Sequence, residues 1–230
     1  MKLKLLTAAL CLSALGVAAG TASAQTLAAT KERGAVRCGV NTGLPGFGYQ
    51  KDDGEWAGLD VDYCRAIAAA IFGDGTKVTF TPLSAVQRFP ALQNNEVDVL
   101  ARNTTWTMSR DTALGLDFAG VNYYDGQGFM VREALGVNSA LQLSGATVCV
   151  QSGTTTELNV ADFFRTNNLR FTPILQERMQ DNAAALQAGR CDAIGTDATQ
   201  LAAVRSQFTK PADREVQCHA SAWDIDNKDD

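Results

Sequence analysis

The chain has 230 residues, 46% of them hydrophobic, and a formal net charge of -5 at pH 7. This length is enough for one or two domains with hydrophobic cores of their own. The acidic balance and the lack of a basic cluster argue against a nucleic-acid partner.

The first 24 residues have the pattern of a secretory signal peptide. Two lysines precede an apolar run over residues 5–19, and a small-residue motif at 22–24 suits a signal peptidase. We expect cleavage before Gln25. A lipoprotein signal built on Cys11 is the weaker alternative, because it would cut the apolar run short. No later segment reaches the ~20 apolar residues of a membrane helix, so we predict an exported, periplasmic protein.

Strands and helices alternate along the rest of the chain, and each is indicated by its own periodicity. We predict strands over 36–40, 77–81, 97–101, 123–132, 146–150 and 191–196, and helices over about 60–73, through 88–92, after the loop at 151–154, and ending in 184–190. Such alternation is typical of an α/β fold with largely parallel strands.

Two local matches indicate that the chain contains two related lobes. ALQNNEVDVLA at 91–101 is similar to ALQAGRCDAIG at 185–195, and VNTG at 40–43 is similar to VQSG at 150–153. Chance similarity is the alternative for such short strings, but their order is the same in both halves. We predict a first lobe over 25–125 and a second over 126–210. Ligands of open α/β sheets bind beyond the carboxyl ends of the strands, which places the polar loops of both lobes at a shared cleft.

Five cysteines follow the signal peptide, and disulfides are the expected use of cysteine in an oxidising compartment. Each lobe holds one early and one later cysteine, so we predict the bonds Cys38–Cys64 and Cys149–Cys191, each stabilising by roughly 3 kcal/mol. Cys218 is left unpaired. No cysteine spacing suits zinc, and the single histidine leaves little for a Cys–His or Ser–His pair. We therefore expect no metal, no other cofactor and no catalytic residue.

Polar side chains follow the predicted strands at the positions where a ligand would lie. In NTTWTMSRD, which follows the third strand, threonines precede Arg110, whose planar guanidinium suits a carboxylate. In SGTTTE, Thr154 or Thr155 would cap a helix whose N-terminal N–H groups favour an anion. Asp197 follows the last strand and suits an ammonium group. Together these groups complement a zwitterionic amino acid.

Each of these features also has a simpler interpretation. A serine- and threonine-rich run after a strand is often a solvated loop, Arg110 and Asp111 would make a surface ion pair of little energetic value, and Asp197 would serve as the cap of the following helix.

The motifs in combination resemble the periplasmic amino-acid-binding proteins of ABC transporters, over roughly residues 30–210. The likeness is strongest to the general L-amino-acid and the glutamate/glutamine/aspartate/asparagine-binding proteins. It is carried by GLDVDYCRAIAAAIFGD, RFPALQNNEVDVLARNTTWTMSRD, LDFAGVNYYDGQGFMV, VCVQSGTTTELN and AGRCDAIGTD. The resemblance implies a two-lobed, type II periplasmic-binding-protein-like α/β fold, in which a mostly parallel sheet flanked by helices forms each lobe.

The resemblance also implies roles for individual residues in a site shared by the two lobes. The motif positions that bind the ligand's α-carboxylate side correspond to first-lobe residues, the hydroxyl site and the acceptor of the α-ammonium correspond to second-lobe residues, and the side-chain pocket corresponds to the RFPAL and VNTG motifs. The first-lobe residues on the carboxylate side are Asn103, Thr105 and Arg110. The second-lobe hydroxyl site is Thr154 with Thr155, and the acceptor of the α-ammonium is Asp197. The side-chain pocket has Arg88, with Asn41 as the weaker candidate.

The function that the resemblance implies is capture of a polar or acidic L-amino acid and its delivery, by a monomer, to an inner-membrane ABC permease. An enzyme on the same fold, such as a dehydratase of cyclic acids, is one alternative, and an exported sensor is another. The family's chain returns from the second lobe to the first. Residues 211–230 show no strand or helix periodicity, so we expect an irregular tail, with the second crossover and the C-terminal part missing. A truncated or frameshifted product is favoured over a natural short variant.

Overall fold

The computed structural model describes residues 22–208 and 216–219, with side chains described over 26–208. Most of the predicted signal peptide, Cys11 included, lies outside the described residues. No helix among those described is long and apolar enough to cross a membrane.

Helices and strands alternate as the sequence predicts. The helices are α1 (Ala22–Arg33), α2 (Leu59–Phe72), α3 (Arg88–Gln93), α4 (Thr155–Thr166), α5 (Met179–Gln187) and α6 (Ala198–Arg205). The strands are β1 (Val36–Asn41), β2 (Tyr49–Gln50), β3 (Trp56–Ala57), β4 (Val78–Leu83), β5 (Val99–Leu100), β6 (Gln127–Arg132), β7 (Ala146–Gln151), β8 (Phe171–Gln176), β9 (Ala193–Asp197) and β10 (Val216–His219).

The two main sheets share one arrangement. The first has the order β4-β1-β5, with both pairings parallel. The second has the order β10-β6-β9-β7-β8, and its β9-β7-β8 part is also parallel. In the first sheet β1 lies between β4 and β5, and in the second β7 lies between β8 and β9. In both sheets the central strand therefore precedes its two parallel neighbours in sequence. The predicted α/β architecture is confirmed, and the second sheet differs only in the two antiparallel strands, β6 and β10, on its other side.

The aspartates that align in the two repeat motifs have the same structural task. Asp98 precedes β5 and accepts the backbone N–H of Arg37 at 2.8 Å, while the N–H of Asp98 donates to the carbonyl of Arg37. Asp192 precedes β9 and makes the equivalent pair of bonds with Thr147, each at 2.8 Å. In both lobes an aspartate thus fixes where the third strand joins the central strand, which supports an origin by duplication.

Both predicted disulfides are confirmed, and each lies in the core of one lobe. Cys38 on β1 joins Cys64 on α2 with Cα atoms 6.2 Å apart, and Cys149 on β7 joins Cys191 with Cα atoms 5.8 Å apart. All four side chains are fully buried. The first bond ties the central strand to the helix that covers it. The second ties β7 to the start of its neighbour β9.

Two predicted strands need correction, and the strand β8 was missed. The strand expected over 97–101 pairs with β1 only at Val99–Leu100, and the one expected over 123–132 begins at Gln127, where its pairing with β9 starts. Strand β8 is not predicted at all. Its central Pro173 argues against a strand by sequence, but β8 is at the edge of its sheet, where a residue without an N–H is tolerated.

The prediction of an irregular tail over 211–230 is wrong for Val216–His219. These residues form β10, which pairs antiparallel with β6 from Val216↔Arg132 to His219↔Phe129. The pairing uses the backbone edge of β6 that β9 leaves open, and so needs no side-chain periodicity. The rest of the predicted tail, and the side chain of Cys218, lie outside the described residues.

Gly58, which precedes α2, allows the first-lobe loop to close over the start of that helix. Its φ is 113°, and a Cβ atom at this position would lie 2.3 Å from the carbonyl oxygen of Phe47. That same oxygen accepts the N–H of Asp60 at 2.9 Å.

We predict that Gly58→Ala lowers the melting temperature by several degrees more than Gly34→Ala. Gly34 also has a positive φ, 79°, but a Cβ atom there meets nothing within 4 Å. Gly34→Ala costs about 1–2 kcal/mol for its positive φ. Gly58, at φ 113° and ψ 169°, lies in a region that is essentially restricted to glycine, and Gly58→Ala adds a clash with backbone. Thermal unfolding followed by circular dichroism measures the difference. Equal melting temperatures for the two variants would contradict the close contact.

Candidate functional site

A cleft lies where the carboxyl ends of the strands of both lobes face each other. Its empty volume, including the open mouth, is about 240 Å³. The residues that line the cleft are Arg88, Asn103, Thr105, Arg110, Thr154, Thr155, Thr156, Thr196, Asp197 and Gln200.

Seven of the eight predicted site residues line this cleft, and Asn41 supports it from behind. The side-chain amide of Asn41 donates to the Oδ1 of Asn103 at 2.9 Å, and its own Oδ1 accepts the N–H of Gly43 at 3.1 Å. Asn103 has a φ of 26°, a conformation that few residues other than glycine adopt. Asn41 therefore positions the first-lobe loop, and no contact places it in the cleft.

Arg110 is directed into the cleft by a single turn of π-helix over Ser109–Ala113. Its side chain is buried, and its Nη1 donates to the carbonyl of Thr105 at 2.8 Å. Asp111 accepts the indole N–H of Trp106 instead of pairing with Arg110. The interpretation of Arg110 and Asp111 as a surface ion pair is therefore wrong for this structure. Burial lowers the pKa of Arg110, and the charge of Asp197 opposes that shift.

Arg88, on α3, is the most deeply buried of the cleft cations, with an exposure of 2%. Its Nη2 donates across the cleft to the carbonyl of Gly153 at 3.0 Å, while its Nε has no hydrogen-bond partner among the described residues. Burial, together with the positive charges of Arg102 and Arg110, lowers the pKa of Arg88 to about 8. The guanidiniums of Arg88 and Arg110 lie 4.6 Å and 5.1 Å from the centroid of the same ring, that of Phe89.

Two neighbouring threonines of the second lobe, Thr154 and Thr155, have different roles. Thr154 is the N-cap of α4, where its hydroxyl accepts the N–H of Glu157 at 3.3 Å and donates to the carbonyl of Gln151 at 2.6 Å. The hydroxyl of Thr155 lies 3.2 Å from that of Thr105, across the cleft. Thr154 thus holds the helix N-terminus, and Thr155 presents a hydroxyl to the opposite lobe.

Asp197 ends β9 and occupies the N-cap position of α6, but its side chain makes no cap hydrogen bond. The interpretation of Asp197 as an ordinary helix cap is therefore wrong. Its carboxyl is half-buried in the cleft. Burial raises its pKa to about 6, helped by the charge of Asp125 and opposed by the charges of Arg88 and Arg110.

Sequence reasoning missed five residues in or behind the site, one of which is Thr156 in the cleft lining. Arg102 and Asp60 lie buried beneath the first-lobe loop. Arg102 donates to the carbonyl of Leu83 at 2.8 Å, and Asp60 accepts the N–H of Asn103 at 3.3 Å. In the second lobe, Thr196 donates to the Oε1 of Gln200 at 2.8 Å, and the Nε2 of Gln200 has no partner among the described residues. An arginine directly after a buried strand was the available signal for Arg102; nothing in the sequence singles out Gln200.

The comparisons with known proteins agree on the class of protein to which this chain is similar. The model of the bacterial extracellular solute-binding proteins, family 3, matches residues 36–194. The general L-amino acid-binding periplasmic protein of Rhizobium johnstonii is 57% identical, over 92% of this chain and 62% of that protein. The glutamate/glutamine/aspartate/asparagine-binding protein of Rhodobacter capsulatus is 54% identical, over 85% of this chain and 58% of that protein.

A solved structure supports the same comparison. The periplasmic binding protein from Brucella ovis, with glutathione bound, has a TM-score of 0.79 and 59% identity, over 84% of this chain and 60% of that one. This chain thus spans about 60% of the length of these relatives. A second family model, that of angiotensin-converting enzyme, matches only residues 202–230. The chain's one histidine cannot supply the two that an H-E-x-x-H zinc site needs.

We predict that Asp197→Asn raises the stability of the unliganded protein at pH 7. The native pKa of about 6 exceeds the usual 3.8, so the native state binds more protons between these pH values and the wild type gains stability as the pH falls from 7 to 4. At pH 7 the ionised carboxylate costs up to about 3 kcal/mol, which the variant avoids. The difference between the two proteins should vanish near pH 4.

Asp192→Asn is the matched control, because hydrogen bonds from Thr147 lower the pKa of Asp192. Its native carboxylate stabilises the fold above pH 4, so this variant should melt below the wild type at pH 7. Thermal melts at pH 4, 5, 6 and 7 test both signs. A lower melting temperature for Asp197→Asn at pH 7 would contradict the account of Asp197.

Proposed function

Because the chain belongs to the family 3 bacterial extracellular solute-binding proteins, we propose that it captures a polar or acidic L-amino acid in the periplasm for an ABC importer. One observation carries the proposal. Arg110 from the first lobe and Asp197 from the second line the same cleft, and neither forms an ion pair with any residue that the structure describes. A cation and an anion held apart in a small cleft complement the two charged groups of an amino acid.

The carboxylate of the ligand would bind on the first-lobe side. Arg110 is oriented by its bond to the carbonyl of Thr105, and the hydroxyls of Thr105 and Thr155 lie where the two lobes meet. A buried carboxylate requires several donors, because each unsatisfied lone pair costs free energy. A guanidinium supplies two parallel N–H groups for this purpose, and hydroxyls supply the rest.

The ammonium group of the ligand would bind to Asp197. In the unliganded protein, burial disfavours the ionised form of this carboxyl. A cation within about 4–6 Å favours the ionised form. Binding of an ammonium would therefore return the pKa of Asp197 toward lower values, and part of the burial cost would be offset by the ligand.

The polar side chain of the ligand would be read by donors that lack protein partners. The Nε of Arg88 and the Nε2 of Gln200 are buried without an acceptor among the described residues, and both residues line the cleft. A buried donor without an acceptor costs about 1–3 kcal/mol, so an oxygen of the ligand that meets either donor gains affinity. Glutamate, glutamine, aspartate and asparagine carry such an oxygen, and purely aliphatic amino acids do not.

In this proposal the ligand is bound and released unchanged, and a chain that closes around its ligand presents both lobes to the permease. Contacts that close the lobes are already present. The amide of Gln180 donates to the carbonyl of Gly43 at 2.6 Å, and Arg88 donates to Gly153. The proposal further includes export by the signal peptide and action as a monomer.

We predict that isothermal calorimetry of the folded chain detects binding of at least one of the four polar amino acids named above, and that Arg110→Gln weakens it by 100-fold or more. Removal of one partner of a buried charge pair costs roughly 2–5 kcal/mol. Arg170→Gln is the control, because Arg170 is exposed at the start of the β8 edge. Heat from none of the four ligands, in a sample that melts cooperatively, would contradict the proposal.

We predict further that the affinity falls as the pH is lowered through about 6. Below that pH the free protein carries a neutral Asp197, and ammonium binding must first remove the proton. The dissociation constant should rise about tenfold per pH unit below the pKa of the free carboxyl, and Asp197→Asn should bind weakly with no such dependence. Calorimetry between pH 4.5 and 8 measures this. A wild-type affinity that is constant over this range would contradict the role of Asp197.

A further inference from the structure

The start of α6 is capped in an unusual way. Asp197 stands at the N-cap position, with an extended backbone at φ -61° and ψ 142°, but its side chain accepts no N–H of the helix. An aspartate at this position ordinarily accepts the N–H of the second or third helical residue. The first N–H groups of a helix have no partner within the helix, so another acceptor must satisfy them.

Asp125, which precedes β6, is that acceptor. Its carboxylate accepts the backbone N–H of Thr199 at 3.4 Å and 3.3 Å through its two oxygens, and its Oδ2 also accepts the hydroxyl of Thr199. The next residue, Gly126, accepts the N–H of Ala198 at 2.7 Å through its carbonyl. The N–H groups of Ala198 and Thr199, the first two residues of α6, are therefore satisfied by the segment that enters β6.

The sheet explains why two residues so distant in sequence meet. Strands β6 and β9 pair antiparallel with Gln127 opposite Asp197. This register brings the residues before β6 beside the residues after β9. Asp125 also accepts the N–H of Gly126 at 2.8 Å, which keeps its carboxylate folded back toward the helix.

We propose that Asp125 is a positioning residue for the ligand site: by capping α6 in place of Asp197, it leaves the carboxylate of Asp197 free to face the cleft and receive a ligand's ammonium. This inference rests on the proposed function. It deepens that function, because it explains how an N-cap aspartate becomes available to a ligand.

The charges around Asp197 fit this arrangement. The negative charge of Asp125 raises the pKa of Asp197, in the same direction as burial, and the cations Arg88 and Arg110 on the opposite lobe lower it. If Asp125 were absent, Asp197 would stand at the N-cap position, from which an aspartate ordinarily accepts the N–H of the second helical residue, here Thr199. Bonds to a helix N-terminus stabilise the ionised form of a carboxyl. Asp197 would then be diverted from the cleft and would titrate at a lower pH.

The test is a double-mutant cycle on affinity. Asp125→Ala should weaken amino-acid binding about tenfold in the wild-type background and by less than twofold in the Asp197→Asn background, because no carboxylate remains there to be diverted. Asp125→Asn keeps an oxygen that accepts from Thr199 and should restore most of the affinity. A tenfold loss that persists in the Asp197→Asn background, or no loss in the wild type, would overturn the proposal.

A control separates the loss of a cap from the loss of positioning. The hydroxyl of Ser139 accepts the N–H of Leu141 at 3.3 Å and caps the short 3₁₀ helix Ala140–Gln142. Its residues do not line the cleft. Ser139→Ala should lower the melting temperature by an amount similar to Asp125→Ala and leave the affinity unchanged. An equal loss of affinity in Ser139→Ala would show that general destabilisation is the cause.

A second experiment, on the titration of Asp197, needs no ligand. The carboxyl carbon of Asp197, followed by NMR titration of the unliganded protein, should have a pKa of about 6 in the wild type and a lower one in Asp125→Ala than in Asp125→Asn, because both variants lose the same charge and only Asp125→Asn keeps an acceptor for Thr199. Equal pKa values in the two variants would overturn the proposed positioning even if amino acids bind. If the wild type binds none of the amino acids tested, the proposed function fails, and this titration still shows whether Asp125 controls Asp197.

Discussion

The structure depends on one electrostatic constraint, namely that charges of opposite sign are buried on opposite walls of a narrow cleft without touching. Arg88 and Arg110 are buried on the first lobe, Asp197 is half-buried on the second, and burial shifts the pKa of each toward its neutral form. In water these groups would be solvated at no cost, so the fold must hold them in place. A molecule that carries both charges would complement the two walls, which is the basis of the proposed function.

The scaffold that holds these charged groups in place is built twice, with the same arrangement in each lobe. The central strands β1 and β7 are each flanked by two parallel strands and crosslinked by a buried disulfide. An aspartate locks the register of the third strand in both sheets through backbone bonds. Because the polar loops follow these strands directly, rigid sheets determine where the charges lie. The polar groups of the cleft can then lack some of their hydrogen-bond partners without unfolding the lobes.

Much of this arrangement could be predicted from sequence, because it is local. Asp197 ends one apolar strand and Arg110 lies in the loop that follows another, and the repeat places these two segments on facing edges. The residues that were missed act over long sequence distances or through burial. The contact of Asp125 with Thr199 depends on the β6–β9 register, Pro173 argues against the strand β8, and β10 is defined by its backbone pairing with β6. The periodicity of apolar residues in the sequence does not indicate contacts of these kinds.

The most direct test of the central claim compares L-glutamate with two analogues that each lack one charge, by calorimetry on the same folded sample. Glutarate lacks the ammonium that Asp197 would receive, and 4-aminobutyrate lacks the carboxylate that Arg110 would bind. The account predicts that glutamate binds and that each analogue binds at least 100-fold more weakly, since either leaves a buried charge unpaired. Glutarate or 4-aminobutyrate binding as tightly as glutamate would contradict it.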